Sequence, residues 1–328
     1  MPAAPTSLRF RPLTVNPELG RDQDYLRLYY KSIRSGWSLE ELQSQEMAFD
    51  FGLPFMPDAV TPDDVKTRLD PELRLKLSQV RGNEYLSIII FIEDVIVDFL
   101  WNYVGRRRYT AAHETQQALT NFISEEMKHT LLFQSFRQKF DRDSGLTCRT
   151  IERTPAFSRF VLRFDPLGVL LFILHGEVMT YINYVNSVQH CPEKLDPFFA
   201  QLLKYHWIEE AGHVTLDELL LDDLLKPYDE TRILKAIRDY FTLVDFLYGA
   251  MKQISHFDLR ALAAGGMTRE PVMDMRRELL EHQRRFYVQS YLLDVMESPR
   301  FRKSFVGLSE RALPMLDDKI AFLRSVAS

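Results

Sequence analysis

The sequence predicts an all-α protein built on a four-helix bundle, with additional N- and C-terminal helices. Three observations carry this. From Leu73 onward the apolar residues recur at spacings of three and four, the period of a helix with one buried face. The alternation of apolar and polar residues that marks a strand is almost absent. A shift of 84 residues lays Glu93 on Glu177, Glu126 on Glu210 and His129 on His213, so each half of the repeat reads Glu, 32 residues, then Glu-x-x-His.

The elements follow in order. Residues 1–71 are punctuated by proline and hold short amphipathic pieces, Asp24 to Ile33 and Leu39 to Phe49; they are expected to wrap the bundle and show no chemistry of their own. Periodic segments predict helices over 72–104, 110–142, 155–189 and 195–226, which contain the whole repeat and form the core over 72–226. Connections of about five residues after 104 and after 189 make each half an antiparallel hairpin. Helices over 229–257, 270–297 and 302–325 then pack outside, as a C-terminal region 227–328. Pro166, Pro197 and Pro271 stand near helix starts or bends, and Gly145, Gly265 and Gly266 mark breaks. With no Ser/Gly-rich or charged linker, residues 1–328 are expected to form a single domain.

Composition narrows the function classes. At 46% hydrophobic and 27% charged the chain reads as globular, and a net charge of −5 is too mild to imply a charged partner. The basic run Arg106, Arg107 and Arg108 reads as a solvated loop between helices, so nucleic acid binding is not expected. The most apolar stretch, Tyr85 to Trp101, has Glu93, Asp94 and Asp98 at its centre. In a membrane each would cost about 3 kcal/mol, so a buried ligand-bearing helix is the better reading. Cys148 and Cys191 match neither a CxxC motif nor a disulfide framework, and the segment MPAAPTSLRFRPLTVNP has no apolar core of a secretory signal. A cytoplasmic protein is expected, with a homodimer admitted.

The repeat carries the chemistry. A helix turns about 100° and rises about 1.5 Å per residue, so Glu126 and His129, like Glu210 and His213, can reach one metal ion. Two such helices beside two that each supply a Glu give the ligand set of di-iron and di-manganese bundles. Four buried carboxylates would repel one another if left bare, and two divalent ions compensate them. Oxygen donors with some imidazole suit iron, with manganese as the alternative, better than zinc or copper, and iron with open positions points to dioxygen chemistry. His206 breaks the symmetry. It precedes Glu210 by four residues and His213 by seven, which puts it within about 40° of their face, whereas position 122 in the other half is Phe122. The expected division gives Glu93 and His129 to one ion, Glu177, His206 and His213 to the other, and Glu126 and Glu210 to both. Glu84 competes with Glu93 on the same helix, but nine residues separate them onto nearly opposite sides and the repeat position of Glu84 is Gly168. His175 is expected to be structural or to support a ligand, and Thr180, Tyr181 and Asn183 are candidates for the substrate pocket.

Glu93, the pair Glu125-Glu126 with His129, Glu177, and His206-x3-Glu210-x2-His213 resemble the non-haem di-iron arylamine N-oxygenases, the p-aminobenzoate N-oxygenase-like family, over about residues 80–220. The resemblance implies a ferritin-like fold, two iron ions, and oxidation of an amine nitrogen toward hydroxylamine, nitroso and nitro products with dioxygen and an external electron donor. It also implies that the acid before each Glu-x-x-His glutamate orients a ligand histidine. The family usually has Asp there; this chain has Glu125 and Glu209. Other readings remain open: a di-iron hydroxylase, desaturase or oxidative-cleavage enzyme shares the ligand set. A ferritin-like iron oxidase or storage protein leaves His206 unexplained, and a magnesium-dependent terpene synthase leaves the duplicated Glu-x-x-His unexplained.

Overall fold

The computed structural model describes residues 19–43, 48–57, 69–151, 154–191, 194–264 and 275–327. Among the described residues the regular structure is helical, without strands. The chain begins with α1 (Leu19–Ser35) and the short α2 (Leu39–Gln43). The bundle consists of α3 (Pro71–Arg107), α4 (His113–Asp143), α6 (Pro166–Tyr184) and α7 (Pro197–Leu225), with the short α5 (Pro155–Val161) between the hairpins. Then follow α8 (Glu230–Ala264), α9 (Arg276–Val288), α10 (Asp294–Glu297), α11 (Pro299–Val306) and α12 (Ala312–Ala327).

Helix starts are fixed by local chemistry. Proline at the first helical position loses no hydrogen bond, and a preceding acid can accept from the free N–H groups of the first turn. Asp70 accepts from Glu72 N at 2.7 Å to open α3, Asp165 from Leu167 N at 3.0 Å to open α6, and Asp196 from Phe199 N at 2.6 Å to open α7. The cap at Asp165 corrects the single helix expected over 155–189. Pro166 has no N–H to donate and its ring crowds the preceding turn, so α5 ends at Val161 and α6 restarts at Pro166. A turn through Gly307 likewise divides 302–325 into α11 and α12, and the helix expected over 270–297 passes through a π-helical turn, Gln289–Leu293. Arg106 and Arg107 belong to the last turn of α3 instead of a loop. The breaks read at Gly265 and Gly266, the start at Pro271 and the segment MPAAPTSLRFRPLTVNP lie outside the described residues.

The hairpins α3–α4 and α6–α7 face each other, α3 beside α6 and α4 beside α7. Helix α8 covers α6 and α3, and α1 lies across α4 and α7 on the opposite side. One buried apolar cluster runs from Tyr25 in α1 to Leu323 in α12. Two glycines permit the close approaches of α6: a Cβ on Gly168 would stand 2.6 Å from Ala236 O in α8, and one on Gly176 would stand 2.7 Å from Ile92 Cγ2 in α3. The second approach brings Glu177 and Glu93 to one level. Residues 166–189 are long and apolar enough to cross a membrane, but most of that stretch is buried inside the fold.

Candidate metal centre

Each bundle helix brings its part of the repeat to the centre: α3 Glu93, α4 Glu126 and His129, α6 Glu177, and α7 His206, Glu210 and His213. All seven side chains are buried, none more than 3% exposed. The two Glu-x-x-His histidines turn Nδ1 inward. His129 Nδ1 stands 3.1 Å from Glu210 Oε1, 3.7 Å from Glu93 Oε1 and 3.9 Å from Glu126 Oε1. His213 Nδ1 stands 2.7 Å from Glu126 Oε1, 3.4 Å from Glu210 Oε1 and 3.8 Å from Glu177 Oε2. His206 turns in its other nitrogen, Nε2, 2.8 Å from Glu210 Oε1 and 3.2 Å from Glu93 Oε1. This departs from the expected division. His206 stands with Glu93, His129 and Glu210, while Glu126, His129, Glu210 and His213 form the other group of converging donor atoms.

These close approaches lack hydrogen-bonding geometry. Glu93 Oε1, both oxygens of Glu126 and of Glu177, Glu210 Oε1, His129 Nδ1, His206 Nε2 and His213 Nδ1 are all buried without a hydrogen-bond partner. Unpaired buried polar atoms cost about 1–3 kcal/mol each, so nine of them gathered at the centre of the bundle need an explanation. Cations held between them would supply it: hard oxygen donors with imidazole nitrogen are what iron or manganese accept.

The outward edges, by contrast, are satisfied, and they are satisfied reciprocally. His129 Nε2 of α4 meets Glu209 Oε2 of α7 at 2.7 Å, and His213 Nε2 of α7 meets Glu125 Oε2 of α4 at 3.1 Å. Each acid thus holds the histidine of the opposite helix. The carboxylate fixes the outward nitrogen as N–H, so the lone pair that a metal would take is that of Nδ1. Glutamate in place of aspartate keeps this contact. The acids are themselves held: Ser32 of α1 donates to Glu125, and Lys128 donates to Glu209 and, at 3.0 Å, to Trp37 O. Thr130 Oγ1 donates to Glu93 Oε2 at 3.1 Å.

Protonation follows from the same contacts. Burial opposes charge on His129, but the hydrogen bond to Glu209 and the close carboxylates of Glu210 and Glu93 outweigh it and hold the imidazole well above its usual range. His213 is raised well above its usual range against burial by Glu210, Glu126 and Glu125, and His206 is raised against burial by Glu210 and Glu93. Burial pushes Glu93 up to about 7, partly offset by His206 and His129. Burial, with Glu210 and Glu126 beside it, pushes Glu177 well above the carboxylate range. Glu210 lies well below that range, since His206 and His213 overcome its burial. Without metal, then, protons occupy the places cations would take.

Residues 37–298 match the family described as P-aminobenzoate N-oxygenase AurF, a span that holds all of these side chains. The chain belongs to this family. It is therefore an oxidoreductase of the di-iron N-oxygenase type, with the ferritin-like all-helical fold and the use of dioxygen that define the family. No curated protein matches the chain.

Other residues singled out in the sequence have different places. Glu84 is buried away from the converging donors, its carboxyl held well above the usual range by burial and by Asp258. His175 ties α6 to the outer helices, with Nδ1 2.8 Å from Tyr240 OH and Nε2 2.7 Å from Tyr291 O, and burial lowers it to about 4. Thr180 Oγ1 donates to Glu177 O at 2.7 Å and Asn183 Nδ2 to Met179 O at 3.0 Å, both within α6, while the Tyr181 ring lies 6.1 Å from that of Trp207. The sequence reading missed Ser32, Trp37, Lys128 and Thr130. It also missed Asp217, one turn after His213, buried with both oxygens unpaired and its carboxyl raised by burial. The spacing of four from His213 was the available signal for Asp217.

Proposed function

We propose that this protein holds two iron ions at the converging donors and oxidises the nitrogen of an amine, an arylamine by class, toward hydroxylamine, nitroso and nitro products. The observation that carries the reading is the set of inward oxygen and nitrogen atoms without hydrogen-bond partners. Glu93, His129 and His206 would hold one ion, Glu177 and His213 the other, and Glu126 and Glu210 both. Glu210 supports the shared role because its Oε1 lies within 3.4 Å of all three inward imidazole nitrogens. Iron there would supply the activation of dioxygen, using electrons from an external donor.

The protein's own part is to orient and to exclude. Glu125 and Glu209 keep the outward nitrogens of His213 and His129 protonated, so both imidazoles present Nδ1 inward. Phe122 packs 4.1 Å from the His213 ring and Phe133 4.7 Å from the His206 ring, apolar walls that keep water from the reacting atoms. His206 gives one side an extra imidazole, so the two ions would differ in their surroundings.

The test combines metal analysis with product analysis. Protein loaded anaerobically with ferrous iron is given p-aminobenzoate or another arylamine, a reductant and air, and N-oxidised products are sought by mass spectrometry. Zinc or no metal in protein prepared with ample iron would refute the metal reading. Iron-loaded protein that consumes dioxygen yet leaves every arylamine nitrogen unoxidised would refute N-oxygenation.

A further inference from the structure

Two of the four bundle helices are crossed by α1, and the residues following α1 place an indole directly against the centre. Trp37 stacks on the His129 imidazole, ring centroids 5.9 Å apart and planes 20° from parallel. Among the described residues it is the aromatic side chain outside the bundle helices that contacts an inward-facing histidine. It is also held on every side. Its Nε1–H donates to Tyr205 O at 2.9 Å, its ring meets the Tyr205 ring edge-on at 5.6 Å, and Lys128 Nζ sits 4.0 Å above it. Lys128 in turn pairs with Glu209, which holds His129. Indole, ammonium, carboxylate and imidazole thus close a ring of contacts from the outer layer to the centre.

We propose that Trp37 is the residue through which electrons from an external one-electron donor reach the His129 side of the centre. The inference rests on the iron-loaded reading above and deepens it, since that reading requires electrons from outside a buried site. Electron tunnelling weakens steeply with distance through loosely packed matter, and two stacked π systems make a well-coupled bridge. Trp37 keeps 7% of its surface exposed, so a thin layer of protein separates the indole from the outside.

The ammonium above the ring makes the indole hard to oxidise. A positive charge at that distance raises the energy of an indole that has lost an electron, which opposes oxidation of Trp37 by the centre. Each transfer oxidises the donor by one electron and reduces one ferric ion to ferrous, and two transfers prime the pair. No bond to Trp37 forms or breaks, and its N–H proton stays on the indole nitrogen, donated to the Tyr205 carbonyl.

The test uses iron-loaded full-length protein, and the iron content of wild type, Trp37→Phe and Trp37→Leu is measured first. Wild-type protein that takes up no iron would sink the underlying metal reading and is seen at this step. The ferric forms are then mixed anaerobically with reduced flavin mononucleotide, and reduction is followed by loss of ferric absorption. The proposal expects a fast phase per bound iron in wild type, its retention in Trp37→Phe, which keeps a stackable ring, and its loss in Trp37→Leu. A Trp37→Leu protein reduced as fast per iron as wild type would overturn it. A second measurement leaves Trp37 in place. In Trp101→Phe/Trp207→Phe protein, where Trp37 is the remaining indole, its excited-state lifetime should shorten on ferric loading and not on zinc loading. An equal lifetime in the two loaded forms would overturn the proposal even if Trp37→Leu failed to fold.

Discussion

Loading the centre with metal should expel protons, and their number follows from the side chains that face inward. Near pH 6 the imidazoles of His129, His206 and His213, all raised, carry a proton each. Glu177, held well above the carboxylate range, and Glu93, pushed up to about 7, carry two more. Metal ligation requires a bare nitrogen lone pair on each histidine and an ionised carboxylate on each glutamate, so saturation at pH 6 should release about five protons per chain. Raising the pH to 8 removes the Glu93 proton beforehand and lowers the release by about one or more. Each released proton makes the apparent affinity rise about tenfold per pH unit over the window where its group is still protonated. The assay is anaerobic titration of metal-free protein with ferrous iron or manganese in weakly buffered solution at a pH-stat. Glu177→Gln should lower the count by about one. Release of fewer than about two protons at pH 6 would show that protons do not take the places of cations on the inward groups.

Three further outcomes are expected. Glu125→Ala or Glu209→Ala strips the outward nitrogen of His213 or His129 of its acceptor and should weaken iron binding by about 10–100-fold, read by competition with a chelator; unchanged affinity would show that these contacts do not orient the ligands. Metal-free protein should lose thermal stability between pH 5 and 8. Glu93, Glu177 and the three histidines bind protons more tightly folded than unfolded, so their stabilisation is present at low pH and is lost as pH rises through the folded values, Glu93 alone accounting for about 3 kcal/mol by pH 7. A flat melting profile over that range would contradict this. Glu84→Gln should leave the iron content unchanged, since Glu84 faces Asp258 and not the converging donors; loss of iron in that variant would reopen its competition with Glu93.

The bundle was legible because helical periodicity and the 84-residue shift are properties of the chain itself. Both lie within local geometry: spacing decides which face of a helix a residue occupies. What spacing cannot decide is which neighbour meets that face. His206 was placed correctly beside Glu210, yet its reach toward Glu93 depends on the packing of α3 against α7 and on the ring presenting Nε2 instead of Nδ1. The break before Pro166 was available in the sequence, where Asp165-Pro166 reads as a cap and a start. The side chains of Thr180 and Asn183 bond to carbonyls three and four residues earlier in the same helix, a local competition that any helical Thr or Asn faces. Ser32 and Trp37 carried no signal at all. Their proximity to Glu125 and His129 arises from the path of α1 across α4 and α7, a tertiary fact without a spacing.

The proposed two-iron centre takes seven side chains and is made unequal by a single histidine. Mössbauer spectroscopy of protein loaded with the Mössbauer-active isotope of iron tests it most directly. Two quadrupole doublets of equal area, from two irons per chain, are expected, and His206→Ala should shift one doublet while leaving the other in place. One iron per chain, or two that remain indistinguishable with His206 present, would contradict the account.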